Sequence, residues 1–231
     1  MAGAHELDDA VWSALTGPQA SFAVGRGQAR RFDPRYTRFA AIENHTAEAW
    51  RDLADIVPPG DMVFLFRQKQ DPTPPGWEAL PTRQLVQMVS EIDVPPSDLP
   101  RGPPVRLGDA DDMHDLVART EPGPFAPRTP DLGTYIGYRG DNGLLAMGGE
   151  RLRLPNHVEI SAVAVDPTAR GLGLGAAIVL HLAARIRAEG KTPFLHVFPE
   201  NPAMTLYQRL GFRERARFWV LPRRRLPIDP E

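Results

Sequence analysis

The sequence predicts an α/β protein, an α+β arrangement around a mixed sheet. Three observations point there. Apolar runs of strand length alternate with helix-length segments through the second half. One of those strands leads through a glycine-rich loop into the longest helix. A proline-dense stretch divides the chain near its middle. A chain of 231 residues has room for one large domain or two small ones with real cores.

The dividing stretch, Val94–Pro104 (VPPSDLPRGPP), holds five prolines in eleven residues. Proline fixes φ and removes a donor, so the stretch reads as an extended connection. It sets an N-terminal α/β domain over 1–94, a proline-rich linker over 95–104 and a second domain over 105–231. In the first half, 21–32 reads as strand. Thr46–Ile56 (TAEAWRDLADI) reads as a helix with a threonine start and an apolar face of Trp50, Leu53 and Ile56. Met62–Phe66 and Leu85–Val89 are of strand length. His45 reads as a residue at a helix start.

The second half is patterned more clearly. Val105–Leu107 is a short strand, and Gly108–Ala118 (GDADDMHDLVA) is a helix whose carboxylates suit a positive N-terminus. Calcium-loop spacing is missing from those aspartates, so no metal is expected there. Strands at Tyr135–Tyr138 and Leu144–Leu154 flank a turn with Asn142-Gly143. Strand Val158–Val165, helix Leu174–Ala188, strand Phe194–Phe198, short helix Pro202–Leu210 and one or two strands over Phe212–Leu221 complete the order.

Composition excludes several classes. With no cysteine, disulfides and thiolate chemistry are absent. A net charge of −2 gives no general attraction to nucleic acid or anionic membrane, so neither is expected as a partner. The acidic N-terminal stretch is unlike a signal peptide, and no apolar run reaches the roughly 18 residues of a membrane span. A cytoplasmic protein is expected.

The chemistry gathers at Val165–Ala177 (VDPTARGLGLGAA). Glycine weakens regular structure, so Gly171, Gly173 and Gly175 need a reason beyond folding. A Walker loop requires a lysine that is missing. Gly171-x-Gly173-x-x-Ala176, with Glu200 further on, formally fits a dinucleotide fingerprint. Yet a hairpin precedes it, and too few residues follow for a doubly wound sheet. The better reading is a pyrophosphate cradle. Backbone N–H groups from Arg170, Gly171, Leu172, Gly173, Leu174, Gly175 and Ala176 converge on a helix N-terminus, and Arg170 adds charge.

At this point the sequence resembles the GNAT superfamily of acyl-CoA-dependent N-acyltransferases. Arg170–Gly175 matches that family's Q/R-x-x-G-x-G/A signature. Asn201, Leu206-Tyr207 and Leu210-Gly211-Phe212 follow in its order. The resemblance covers about 104–221 and looks most like the C-terminal domain of glycine N-acyltransferase-like proteins. It implies a GNAT fold in the C-terminal half, with the N-terminal half a degenerate GNAT-like copy.

The resemblance also implies an activity: transfer of an acetyl or other acyl group from acetyl-CoA, as co-substrate, to a primary amine through a tetrahedral intermediate. Catalytic candidates are Glu159 as general base, its carboxyl pKa raised by burial, and Tyr207 as the acid protonating the CoA sulfur. His157 and His196 are rival bases. Glu159 has an alternative as the partner of an arginine such as Arg151. Val163 and Val165 would bond the pantetheine arm through their main chain, between strands that splay. Asn201 joins the cofactor-binding set, although it stands six residues before Tyr207 where the family often has seven.

On the acceptor side, Phe125 and Arg128 in Glu121–Pro130 are candidate contacts. The arginines at 213, 215, 217 and 223–225 read as a solvated strand face. The acceptor is a small-molecule or peptide amine, with amino acids, polyamines, antibiotics, peptide N-termini and protein lysines all open; oligomeric state is open too. The alternative is a catalytically idle acyl-CoA-binding sensor or interaction module, which keeps the cradle and needs neither Glu159 nor Tyr207.

Overall fold

The computed structural model describes residues 5–90, 102–141 and 143–227. Asp9 caps α1 (Ala10–Leu15) by accepting from the Trp12 N–H at 3.0 Å. Strands β1 (Ala23–Arg26), β2 (Ala29–Phe32) and β3 (Ala40–Ile42) form a small antiparallel sheet. Helix α2 (Ala47–Ile56) starts as its sequence predicts: Thr46 Oγ1 accepts from the Ala49 N–H at 3.2 Å, and Ala49, Trp50 and Leu53 are buried. His45, just before that cap, pairs with Asp71 at 2.9 Å. Strands β4 (Met62–Arg67), β5 (Trp77–Ala79) and β6 (Arg83–Ser90) follow.

Beyond the proline-rich stretch come β7 (Val105–Arg106) and α3 (Ala110–Thr120), with Asp109 Oδ1 accepting from the Asp111 N–H at 2.9 Å. The aspartates at its start thus serve the helix terminus. A 3-10 turn over Thr129–Leu132 leads into β8 (Tyr135–Gly140), β9 (Gly143–Arg153) and β10 (His157–Val165). Then come α4 (Leu174–Ala188), β11 (Thr192–Val197), α5 (Ala203–Arg209) and a single long β12 (Phe212–Arg225).

Nine strands among the described residues make one large sheet in the order β4-β12-β6-β11-β10-β9-β8-β7, with β5 also on β12. Its β10–β11 pair is parallel and its other pairs are antiparallel. Strand β6, from before the proline-rich stretch, lies between β11 and β12, so the two halves of the sequence interleave in one sheet. Residues 95–101 of the expected linker lie outside the described residues.

Each face of the sheet has its own cover. Helix α4 is apolar on most sides and buries Ile178, Val179, Leu182 and Ile186 against Val86, Met88, Val158, Ile160 and Leu195. On the opposite face α1, Phe32 and Phe39 pack on Leu152, Leu154 and Phe194. Helix α3 covers the same face farther along, through Met113 and Leu116 against Tyr135 and Met147. Among the described residues no helix is long and apolar enough to cross a membrane.

The arginines of β12 bear out the expectation of a solvated face in part: Arg213, Arg217 and Arg224 are exposed, whereas Arg223 is buried. Several of them also tie β12 to other segments. Arg215 bonds Gln87 at 3.0 Å and Asp8 at 2.7 Å, Arg224 bonds Glu78 at 2.9 Å, and Arg223 is buried.

Candidate active site

Two irregularities shape the middle of the sheet. Register jumps from Val158↔Arg153 to Ile160↔Glu150, so β9 holds an extra residue there. Such a bulge re-aims side chains. Arg151 and its neighbour Leu152 consequently both meet the N-terminal half: the Arg151 guanidinium lies 4.7 Å from the Phe39 ring centroid, and Leu152 joins the cluster around α1. A second bulge falls on β10 between Ser161 and Ala164, with Ala162 in the left-handed region at φ 53.

Past Glu159↔Phe194 the pairing of β10 with β11 ends, although both strands continue. The expected splay is there. It opens a cleft of about 770 Å³ on the face shared by α3 and the N-terminal half. Val163, Val165, Arg170, Asn201 and Tyr207 line it. The edge of β10 toward β11, having lost its strand partner, exposes main-chain groups to that space.

At one end of the cleft the chain leaves β10 through an Asp166 turn, whose Oδ1 accepts from the Thr168 N–H at 3.0 Å, and enters α4. Gly171 and Gly173 have φ of 80 and 73, a region that favours glycine. Gly173 is the N-cap and has no side chain to satisfy the helix end. Among the described residues, the N–H groups of 171–176 meet no backbone acceptor; the first helical bond is Ala177 N–H to Gly173 O at 3.0 Å. Open N–H groups at a helix N-terminus attract an anion, and Arg170 adds a positive charge nearby. The side chain of Leu174 is core, so its N–H is what it can offer. Leu172 is exposed, and Gly175 sits 3.4 Å from Val165 when given a Cβ.

Across the cleft, Tyr207 on α5 is 8% exposed. Burial pushes its phenol pKa up to about 12, so it holds its proton at neutral pH. Asn201 Oδ1 accepts from the Ala203 N–H at 2.9 Å, which fixes the start of α5.

Glu159 corrects the expectation of a raised pKa. Burial does push its carboxyl up, but the Arg151 charge and the hydrogen bonds from His196 and Arg151 overcome that and hold it at about 2. Arg151 Nε and Nη2 meet Oε2 and Oε1 at 3.0 and 2.7 Å, and His196 Nδ1 lies 2.8 Å from Oε1. The carboxylate has no exposure. Arg151 and His196, its two partners, line the cleft.

Gln87 settles the His196 tautomer. Its Nε2 donates to Leu7 O at 3.1 Å and its Oε1 accepts from Arg215 at 3.0 Å, which fixes the amide orientation. The same Nε2 faces His196 Nε2 at 3.2 Å and needs a lone pair there. The ring proton therefore sits on Nδ1, toward Glu159.

A crystal structure assigned to the GNAT acetyltransferases, from Novosphingobium aromaticivorans, is 35% identical to this chain. It superposes with a TM-score of 0.87 over 97% of this chain and all of that one. The chain belongs to the GNAT family. A family model described as FR47-like protein matches residues 135–220 of this GNAT chain. The GCN5-related N-acetyltransferase from Kribbella flavida shares the fold at 16% identity and a TM-score of 0.57, over 95% of this chain and 92% of that one. Mycothiol acetyltransferase from Mycolicibacterium gilvum is 35% identical over 88 residues. That match covers 35% of this chain and 29% of the relative, so the chain spans under a third of that protein's length.

Within this GNAT chain several expected site residues lie elsewhere. His157 is bound to Glu6, whose carboxylate also accepts from the Asn156 N–H at 3.0 Å. Phe125 stands edge-on to His114 and Tyr135, inside the α3 cluster. Arg128 bonds Asp131 at 2.8 Å and covers the Tyr36 ring. Sequence reasoning missed the N-terminal wall of the cleft, formed by Phe39, Phe64 and Phe66. The strand alternation of MVFLF puts Phe64 and Phe66 on one face, but nothing local says what that face borders.

Proposed function

We propose that the protein is an N-acetyltransferase that moves an acetyl group from acetyl-CoA to a primary amine by direct attack. The observation that carries this reading is the parting of β10 and β11 between an open helix N-terminus and a protonated tyrosine. The residues fit the co-substrate. N–H groups of 171–176 and Arg170 suit its pyrophosphate, and the free edge at Val163 and Val165 suits the amide-bearing pantetheine arm, with Asn201 alongside.

In the reaction the ammonium loses one proton to become nucleophilic, its nitrogen bonds to the thioester carbon, the C–S bond breaks, and the nitrogen loses a second proton to solvent while the sulfur gains one. Tyr207 is the proton donor to sulfur. Glu159, sealed behind its partners, acts as a positioning residue. It holds His196 with the proton on Nδ1, so that Nε2, on exchanging its Gln87 contact, takes the first proton, from the acceptor's ammonium. The N-terminal half forms the wall where the acceptor lies.

Thermal unfolding with CoA, acetyl-CoA and NAD tests the reading. A ligand at about 100 times its Kd stabilises by roughly 2.7 kcal/mol. Stabilisation by both CoA forms and not NAD, with amine-dependent thiol release, supports acetyl transfer. Stabilisation without thiol release would favour the idle sensor, and a response to NAD alone would reject both.

A further inference from the structure

The end of the cleft away from α4 is walled by Phe39, Phe64, Phe66, Leu85, Val220 and Pro222. Strand register explains the grouping. Val220 pairs with Phe66 and Pro222 with Phe64 across β12 and β4, and Phe218 pairs with Leu85 across β12 and β6. Five of the six therefore come from neighbouring strands, and Phe39 joins them through a bridge to Phe64. The wall is apolar and largely aromatic.

Its charged side chains are two arginines already paired, Arg151 with Glu159 and Arg83 with Glu200. Arg151 presents the guanidinium edge left over from its fork on Glu159; among the described residues Nη1 has no hydrogen-bond partner. Arg83 stands at the rim with its guanidinium 3.5 Å from the Phe198 ring centroid, paired with Glu200. Among the described residues lining the cleft the carboxylate is Glu121, exposed on the loop after α3 on the opposite side. A second ammonium on an acceptor would thus lie in the apolar wall without a free counter-charge, since Glu159 and Glu200 are already engaged by Arg151 and Arg83. One face of the Phe39 ring is already taken by Arg151, and Phe66 is stacked with His196.

We propose that the acceptor is a primary monoamine on a compact apolar or aromatic body, seated on the Phe39–Phe64–Phe66 wall, and that polyamines and lysine-rich peptides are excluded. This rests on the acetyl-transfer reading. The wall then removes the body of the acceptor from water.

The experiment is thiol release by the full chain at saturating acetyl-CoA. Phenethylamine and isopentylamine are compared with spermidine and a lysine-rich peptide. Burial differences of this size correspond to about tenfold or more in kcat/KM, which is the expected preference for the apolar amines. Phe64→Ala should raise the KM for phenethylamine by a similar factor, about tenfold, with CoA still stabilising the fold. Val220→Phe, which adds volume instead of removing it, should reject phenethylamine and retain smaller amines. Preference for spermidine or the peptide overturns the proposal, as does a Phe64→Ala variant with an unchanged KM. Stabilisation by CoA without transfer to any amine overturns both this proposal and the acetyl-transfer reading; transfer to polyamines alone overturns only the acceptor class.

Discussion

Arg151 and Glu159 meet through two hydrogen bonds beside a β-bulge, and the pair leaves the carboxylate sealed while the guanidinium keeps an edge in the cleft. One residue is thus the interior half of the site and the other its surface. The linkage has consequences for stability as well as for chemistry.

The pH dependence follows from its sign. Glu159 titrates at about 2 in the fold against an ordinary 4.5. A depressed carboxyl contributes stability that is fully present above pH about 4.5 and is lost as the pH falls toward 2. Urea unfolding across that window should show the loss, on the order of 3 kcal/mol. In Glu159→Gln that component of the acid slope should vanish. The variant should also be weaker at pH 7, by about 3–5 kcal/mol, because Arg151 is left as an unpaired interior charge. An acid slope identical in the two proteins would show that the pair does not set it.

Tyr207→Phe removes a hydroxyl and keeps the ring. We expect kcat to fall by about 10²–10⁴-fold with the KM for acetyl-CoA unchanged, since the phenol acts on the departing sulfur. Steady-state kinetics with a working amine decide it. A KM that rises while kcat stays level would make Tyr207 a binding residue.

His196→Gln should leave CoA binding intact and slow transfer about 10²-fold near neutrality. The deficit should shrink as pH rises and the amine arrives already deprotonated. A pH–rate profile parallel to that of the wild type would remove His196 from proton transfer.

Gly171→Ala isolates the backbone. Its φ is 80, and a Cβ there meets nothing within 4 Å, so only the left-handed conformation is penalised. We expect about 1–2 kcal/mol of lost stability and a smaller stabilisation by CoA, as the loop N–H groups turn away. Asparagine, which tolerates that region better, should recover part of both.

Much of this architecture follows from local physics. Thr46 before an amphipathic run, Asp109 at the start of α3 and the apolar stretch of α4 each specify their element through caps and periodicity acting over a few residues. The backbone of the loop before α4 was legible for the same reason, since Gly171 and Gly173 answer a backbone requirement that no other residue meets well.

What the sequence alone determined, then, were α2, most elements of the second half, the glycine-rich turn into α4 and the position of Tyr207 on α5, all of them local in origin. Only the tertiary structure decided that β6 enters between β11 and β12, that β12 is interior, and that Phe39, Phe64 and Phe66 border the cleft. It also decided the ionisation of Glu159. The residues before and after it make an isolated carboxylate in an apolar strand look raised. A bulge on the neighbouring strand brings Arg151 within 3.0 Å and reverses the outcome. Strand order and charge pairing depend on contacts between segments far apart in the chain, where the energy of one arrangement over another is set by what the rest of the sheet has already placed nearby.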